Sequence, residues 1–309
     1  MNRLAGIVAV ALGLIIAVLS IMKVIPGVTM SGFGLIVFGG LVIGLSFLGR
    51  PTHDEGSRMS TPNTLINIFF SPTEVFQNLR RFPRWLVPLL IMTVLSAVYT
   101  NLFVYRLTPE RVANYTIDKT LEMPMVANND DAKKQVEAGR KQAIEDAKNP
   151  VVRTGQAVGS FAGSAIWYCI LGGLFMLFAL AMGGQINFWQ ALSVAVYAAF
   201  PVAVIKFILN SIVLFIKDPT DIHPILGQGT LIQDSLNFLV VPSEHPVIFS
   251  LLGGFSLFGL YWIWLNATGL KNAGEKVSGS TAWTATIVLY VVGVLLMALM
   301  AFMFPSFIS

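Results

Sequence analysis

The chain reads as an all-α, polytopic transmembrane helical bundle with seven spans, and three observations carry that reading. Of its 309 residues, 55% are hydrophobic and 12% charged, against about 25% charged in soluble domains. Seven apolar stretches come close to or exceed the roughly 20 residues a helix needs to cross hydrocarbon while satisfying its own backbone. Every Asp and Glu lies outside those stretches, and so do all Lys and Arg except Lys206. The same composition, with mean hydropathy +0.73, excludes a disordered chain. Cys169 is the single cysteine, which excludes an intrachain disulfide scaffold. A scattered net charge of +4 gives no basic face for nucleic acid.

Taken in order, the stretches run from about Leu4 to Ser20, Ser31 to Gly49, Leu86 to Tyr105, Gln156 to Met182, Gln190 to Ile216, Val247 to Thr268 and Ala282 to Phe304. The first admits a second reading as a cleaved signal peptide, but its apolar run is long for that role and has no clear small-x-small exit. A retained span is expected. Residues 50–63, polar and carrying Pro and Ser, form a linker. It separates a two-span hairpin, residues 1–49, from a five-span remainder, residues 64–309.

After the linker, Ser71-Pro72-Thr73-Glu74 has the pattern of a helix start: a capping Ser, Pro at the first helical position and Glu at the third. Val75, Phe76 and Leu79 then recur at helical spacing, and Arg80, Arg81 and Arg84 surround Phe82 and Trp85. That suits a helix in the headgroup layer, or equally a simple anchor for the third span. Arg80, Arg81, Arg84 and Trp85 are thus candidate headgroup or partner contacts.

Between the third and fourth spans lies a polar excursion at about 106–155, where nine basic residues face eight acidic ones. Thr108-Pro109-Glu110 starts one helix, Pro124 breaks it, and Asn128-Asn129-Asp130-Asp131 opens a second that Pro150 ends. Lys133, Glu137, Lys141 and Glu145 follow at four-residue spacing, as on a solvated helix. The excursion is therefore a helical hairpin, either merely solvated or a docking surface.

Small residues at four-residue spacing, Gly155, Gly159 and Gly163 in the fourth span and Gly40 and Gly44 in the second, offer close-packing faces. Pro201 leaves the Tyr197 carbonyl without its helical partner and should kink the fifth span. Basic residues beside short loops place the N-terminus inside, since Arg3, Arg50, Arg58, Arg80, Arg81, Arg84, Lys271 and Lys276 then share the cytoplasmic side. Seven crossings leave the C-terminus outside.

Chemical motifs are sparse. Gly269 to Lys276 imitates a phosphate loop but has Glu275 where Lys must follow the second Gly. His53, His223 and His245 lack metal-ligand spacing, and a structural role is expected for them. Asn114-Tyr115-Thr116 matches a glycosylation acceptor, meaningful only in a eukaryotic secretory host. Lys206 is the exception, near the middle of the fifth span, where a charge costs at least ~2.5 kcal/mol. With Asn210 and Pro201 it forms a candidate intramembrane polar site, read either as functional or as a lysine that snorkels or bonds Asn210.

The run Ile68-Phe69-Phe70-Ser71-Pro72-Thr73-Glu74-Val75-Phe76, followed by Pro83-Arg84-Trp85-Leu86-Val87-Pro88-Leu89, resembles the opening of the YIP (Ypt-interacting protein) domain in its bacterial form. Gln190-Ala191-Leu192 leading to Tyr197-Ala198-Ala199-Phe200-Pro201 resembles the family's third domain helix, and Phe215-Ile216-Lys217-Asp218-Pro219 its exit. Phe258 to Trp264, ending Gly269-Leu270, resembles the fourth. The resemblance covers about residues 64–304 and implies a five-helix membrane domain whose N-terminal side is cytoplasmic. Eukaryotic relatives act in vesicle traffic and bind prenylated Rab-type GTPases. Their Asp-Leu-Tyr-Gly-Pro motif is absent here, so GTPase binding does not carry over. The bacterial pattern has an acidic residue where this chain has Ser256, so any role of that acid does not carry over either.

The expectation is a non-enzymatic scaffold or adaptor of the YIP type in a bacterial cytoplasmic membrane, with no catalytic residue, cofactor or metal. Its expected partners are membrane lipids and another membrane or periplasmic protein, and no nucleic acid. The alternative is an accessory or pore-forming subunit of a transport system in which Lys206, Asn210, Gln185 and Asn187 contact solute or headgroups.

Overall fold

The computed structural model describes residues 2–25, 27–47, 56–229 and 231–307. It is all-helical, with no strand among the described residues. The N-terminal stretches form α1 (Asn2–Ile21) and α2 (Thr29–Leu45), followed by α3 (Thr61–Phe70) and α4 (Pro72–Arg81). The long α5 (Leu86–Leu107) leads into the polar excursion, made of α6 (Pro109–Leu121), α7 (Pro124–Ala127), α8 (Asp130–Ala138) and α9 (Arg140–Lys148). Then come α10 (Pro150–Ala181), α11 (Phe188–Ile216), α12 (Leu226–Gly229), α13 (Pro246–Gly253), α14 (Leu257–Ala273) and α15 (Gly279–Met303). By length and composition, α5, α10, α11 and α15 are able to cross a membrane, while the apolar runs of α1 and α2 are shorter. Residues 50–55 of the linker, with Arg50 and His53, lie outside the described residues.

Two compact units divide the chain. The first gathers Met1–Val94, Thr154–Val204 and Tyr261–Val288. Its core includes α4, whose Val75, Phe76 and Leu79 are fully buried. The apolar face expected there is thus seated on protein. Gly269 of α14 lets Phe76 and Val194 approach so closely that an added Cβ would stand 2.5 Å from the Val194 side chain and 3.0 Å from the Phe76 ring. Within the same unit α1 and α2 pair through glycines. A Cβ at Gly13 would fall 2.7 Å from the Gly32 carbonyl oxygen, and one at Gly39 would fall 2.6 Å from that of Gly6.

The close-packing faces differ in part from those the spacing suggested. Gly40, Gly44 and Gly163 face open space, whereas Gly155 meets Val28 and Gly159 meets Ser31. Four-residue spacing marks a helix face that permits close approach; which turn of that face is used depends on where the partner lies. Phe38 and Phe161 extend the α2–α10 contact edge to face, with ring centroids 5.3 Å apart.

The second unit gathers Leu95–Arg153, Ile205–Leu260 and Leu289–Ser309. Tyr99, Phe103, Leu107, Leu214 and Ile222 form its buried apolar cluster. Thr108 caps α6 as expected, its hydroxyl accepting from the Arg111 amide at 3.4 Å. Ser71 also precedes its helix, but its side chain makes no capping bond. The second excursion helix is not continuous. It breaks at Gly139, and Arg140 just beyond it reaches back to Asp118 at 2.7 Å, Glu137 at 2.8 Å and Asn114 at 3.2 Å. Lys148 pairs with Glu110.

The sixth apolar stretch differs most from expectation. It is interrupted after Gly253, and the chain restarts as α14 at Leu257. Gly253-Gly254 weakens helical continuity, and Ser256 provides the new cap, its Oγ accepting from the Gly259 amide at 2.8 Å.

Candidate functional site

The break in the sixth stretch is held by residues from the loop after α11. The backbone oxygen of Asp234 accepts from the Leu257 amide at 3.0 Å, and its carboxylate accepts from the Phe258 amide at 3.3 Å. Leu236 donates to the Phe255 carbonyl at 3.2 Å, and Ser235 bridges Ser256. A carboxylate at a helix N-terminus answers both the orphan amides and the positive end of the dipole. The loop therefore brings an acid to the middle of an apolar stretch that contains none of its own.

Lys206 and Asn210, one turn apart on α11, meet the same region. The Lys206 ammonium lies over the Phe258 ring, 5.3 Å from its centroid. Among the described residues no carboxylate stands within ion-pair distance of it. Asn210 is 4% exposed, and its side-chain oxygen accepts from the Leu231 amide at 2.8 Å and the Ile232 amide at 3.2 Å. Asn210 is thus engaged with the loop backbone, while Lys206 rests on an aromatic face. Pro201 lies inside α11, which continues through it from Phe188 to Ile216.

The four residues expected at the headgroup level divide between two clefts of the first unit. Arg80 and Arg81, with Glu74, Lys271 and Glu275, line a polar cleft of about 670 Å³. There Arg80 pairs with Glu275 at 3.1 Å, and its carbonyl accepts from the Gln190 side chain at 2.8 Å. Arg84 and Trp85 line a second cleft of about 420 Å³. Arg84 is also a tie: it donates to the Met59 carbonyl at 2.6 Å, Thr64 Oγ1 at 2.7 Å and Asn78 Oδ1 at 3.3 Å. Burial holds its pKa below the usual arginine value; Tyr197 opposes that shift and the nearby Arg58 charge adds to it.

Two residues of the transport alternative also serve the backbone. Asn187 and Gln190 exchange bonds at the start of α11, each side chain accepting from the other's amide at 3.0 Å. Gln185 and Glu275 form a bridge through their main chains. His223 Nδ1 accepts from the Ile225 and Leu226 amides at 3.1 and 3.0 Å, which leaves its Nε2–H to donate to the Tyr115 hydroxyl at 3.0 Å.

The hairpin from α6 to α9 is laced with ion pairs. The hydrogen bonds that Arg140 donates to Glu137 and then to Asp118 raise its pKa above the usual value. Arg140 in turn lowers Glu137, and a hydrogen bond from Lys148 lowers Glu110. Arg111 donates to the carbonyls of Pro219, Thr220 and Ile222, the last two at 3.2 and 3.1 Å.

Asp234 is the participant that sequence reading missed. The usable signal was Gly253-Gly254 followed by Ser256, a helix breaker and a cap inside one apolar run. No curated protein and no solved structure matches the chain. The Yip1 domain family model matches residues 66–302. With apolar helices of spanning length across that region, the chain belongs to the Yip1 domain family of membrane proteins.

Proposed function

We propose that this chain is a non-enzymatic scaffold or adaptor of the bacterial branch of the family, organising membrane components by contact. The observation that carries the reading is the hairpin from α6 to α9. It is a polar surface tied in place by Arg140, Lys148 and Arg111 rather than a slack connection, and a fixed polar surface is pre-organised for a partner. The partner is another membrane or periplasmic protein, with lipids as the surrounding medium. Cross-linking in native membranes tests this. Replacing residues 126–149 by a flexible linker should remove a cross-linked protein while the remaining helices still fold, since those residues are mostly solvent-facing. An Arg80→Gln, Arg81→Gln double variant should change contacts at the polar cleft and leave the hairpin's contacts intact. If neither variant alters the cross-linked set and the purified chain alone moves solute into liposomes, the transport reading replaces this one.

The same proposal has seven crossings, two from a hairpin in residues 1–49 and five from residues 64–309, with residues 50–63 as a cytoplasmic linker, the N-terminus cytoplasmic and the C-terminus outside. Single cysteines at Ser57 and Lys134, in a Cys169→Ala background, test it. Both positions are exposed, and neither caps a helix. They should react with an impermeant thiol reagent from opposite sides of a bacterial cytoplasmic membrane; reaction from one side refutes the arrangement.

A further inference from the structure

The second cleft of the first unit combines features that point to a ligand. Its walls are apolar and come from spanning helices and α2: Phe38, Leu41, Val42 and Leu45 on one side, Phe161 and Trp189 on others. From Phe38 to Leu45 is about 10 Å along a helix, so the wall is long rather than round. Leu86 and Val87 also line it and are 45% and 43% exposed, which makes the cleft continuous with apolar surface facing outward.

The polar residues of the cleft are unlike its walls. Arg58 and Arg84 line it, and among the described residues no Asp or Glu does. Arg84 is bonded to neutral acceptors only, among the described residues. Its Nε is buried with no hydrogen-bond partner among the described residues. The Tyr197 hydroxyl is in the same condition, on a side chain with no exposed surface. Buried polar groups are nearly always satisfied, and two cationic side chains beside hydrocarbon favour an anion. The complement is an anionic group with several acceptor oxygens carried on an apolar chain. Arginine matches phosphate oxygens in geometry as well as charge.

We propose that this cleft binds one anionic phospholipid, its phosphate bonded by Arg58, Arg84 and the Tyr197 hydroxyl and an acyl chain lying along Phe38, Val42, Leu45 and Phe161. The site is separate from the Arg80 cleft and from the hairpin, so it stands or falls independently of the adaptor reading. A volume of about 420 Å³ lies within the usual range of small-molecule sites; it holds the phosphate end and the upper part of one chain, with the rest along the exposed flank of α5.

The whole chain, purified in a neutral detergent and stripped of lipid, provides the test. Thermal unfolding and native mass spectrometry are followed on titration with phosphatidylglycerol, phosphatidylcholine or inorganic phosphate. Phosphatidylglycerol should raise the midpoint and remain bound, whereas the other two should do so at least tenfold more weakly. Tyr197→Phe should weaken phosphatidylglycerol binding by about tenfold. It should not lower the midpoint of the lipid-free protein, because the hydroxyl has no partner to lose among the described residues. Arg58→Gln, at an exposed position, should weaken binding by a similar factor, and Leu45→Trp should block it by filling the wall. Arg84 is left unchanged because it also ties the α3 region. Equal effects of phosphatidylcholine would overturn the proposal, as would protection by inorganic phosphate alone, or unaltered phosphatidylglycerol binding in all three variants.

Discussion

Gly269→Leu should lower the unfolding free energy by ~3 kcal/mol, the upper end of overpacking costs, and in a detergent extract the variant should be largely aggregated. The new side chain would enter space held by Val194 and the fully buried Phe76. Those residues belong to α11 and α4, so relief requires α4 to leave its seat. Gly163→Leu is the control. It makes the same chemical change on a spanning helix, but a Cβ there meets nothing within 4 Å, and the variant should stay within ~0.5 kcal/mol of the parent. Thermal midpoints and gel filtration of the two side by side decide the matter. Equal behaviour would mean that Gly269 is not a packing constraint.

Asn210→Leu should cost ~1–3 kcal/mol, because it strands the Leu231 amide in a partly buried setting and also removes the bond to the Ile232 amide. Hydrogen exchange at residues 231–237 should accelerate before any global change. Asn210→Asp keeps an acceptor oxygen and should be milder than Leu. Lys206→Met, one turn away, removes an ammonium that rests on the Phe258 ring, and should fold at least as well as the parent. The expected order is Leu worst, Asp next and Lys206→Met least. If Lys206→Met proves as damaging as Asn210→Leu, the lysine has a structural partner role that its ring contact does not explain.

These pairs also show what was legible in the sequence. The starts of α4 and α6 were readable from Ser71-Pro72 and Thr108-Pro109 because proline fixes the first helical φ and leaves a small set of residues to precede it. The spanning lengths of α5, α10, α11 and α15 follow from uninterrupted apolar runs. The interruption after Gly253 escaped that logic, since hydropathy sums over a window and is blind to a local cap. Asp234 escaped for a different reason: its importance depends on a contact with Phe258, 24 residues away, and no local pattern encodes that approach. The arginine cluster was visible as a group. Its division, with Arg80 and Arg81 on one cleft and Arg84 on the other, was not, because it depends on how α4 ends and α5 begins.

The glycine-faced pairing of α1 with α2 has a consequence for the order in which the molecule is made. Both partners leave the ribosome before the helices they later meet and are close in sequence, so their contacts close a small loop at little entropic cost. The surface that α2 turns toward α10 at Val28 and Ser31 waits much longer, until Gly155 and Gly159 have been synthesised. During that interval a nascent chain carries an assembled two-helix unit with one unoccupied side, and a ribosome paused before residue 155 would hold the protein at its most vulnerable to capture by insertion factors or to misassembly.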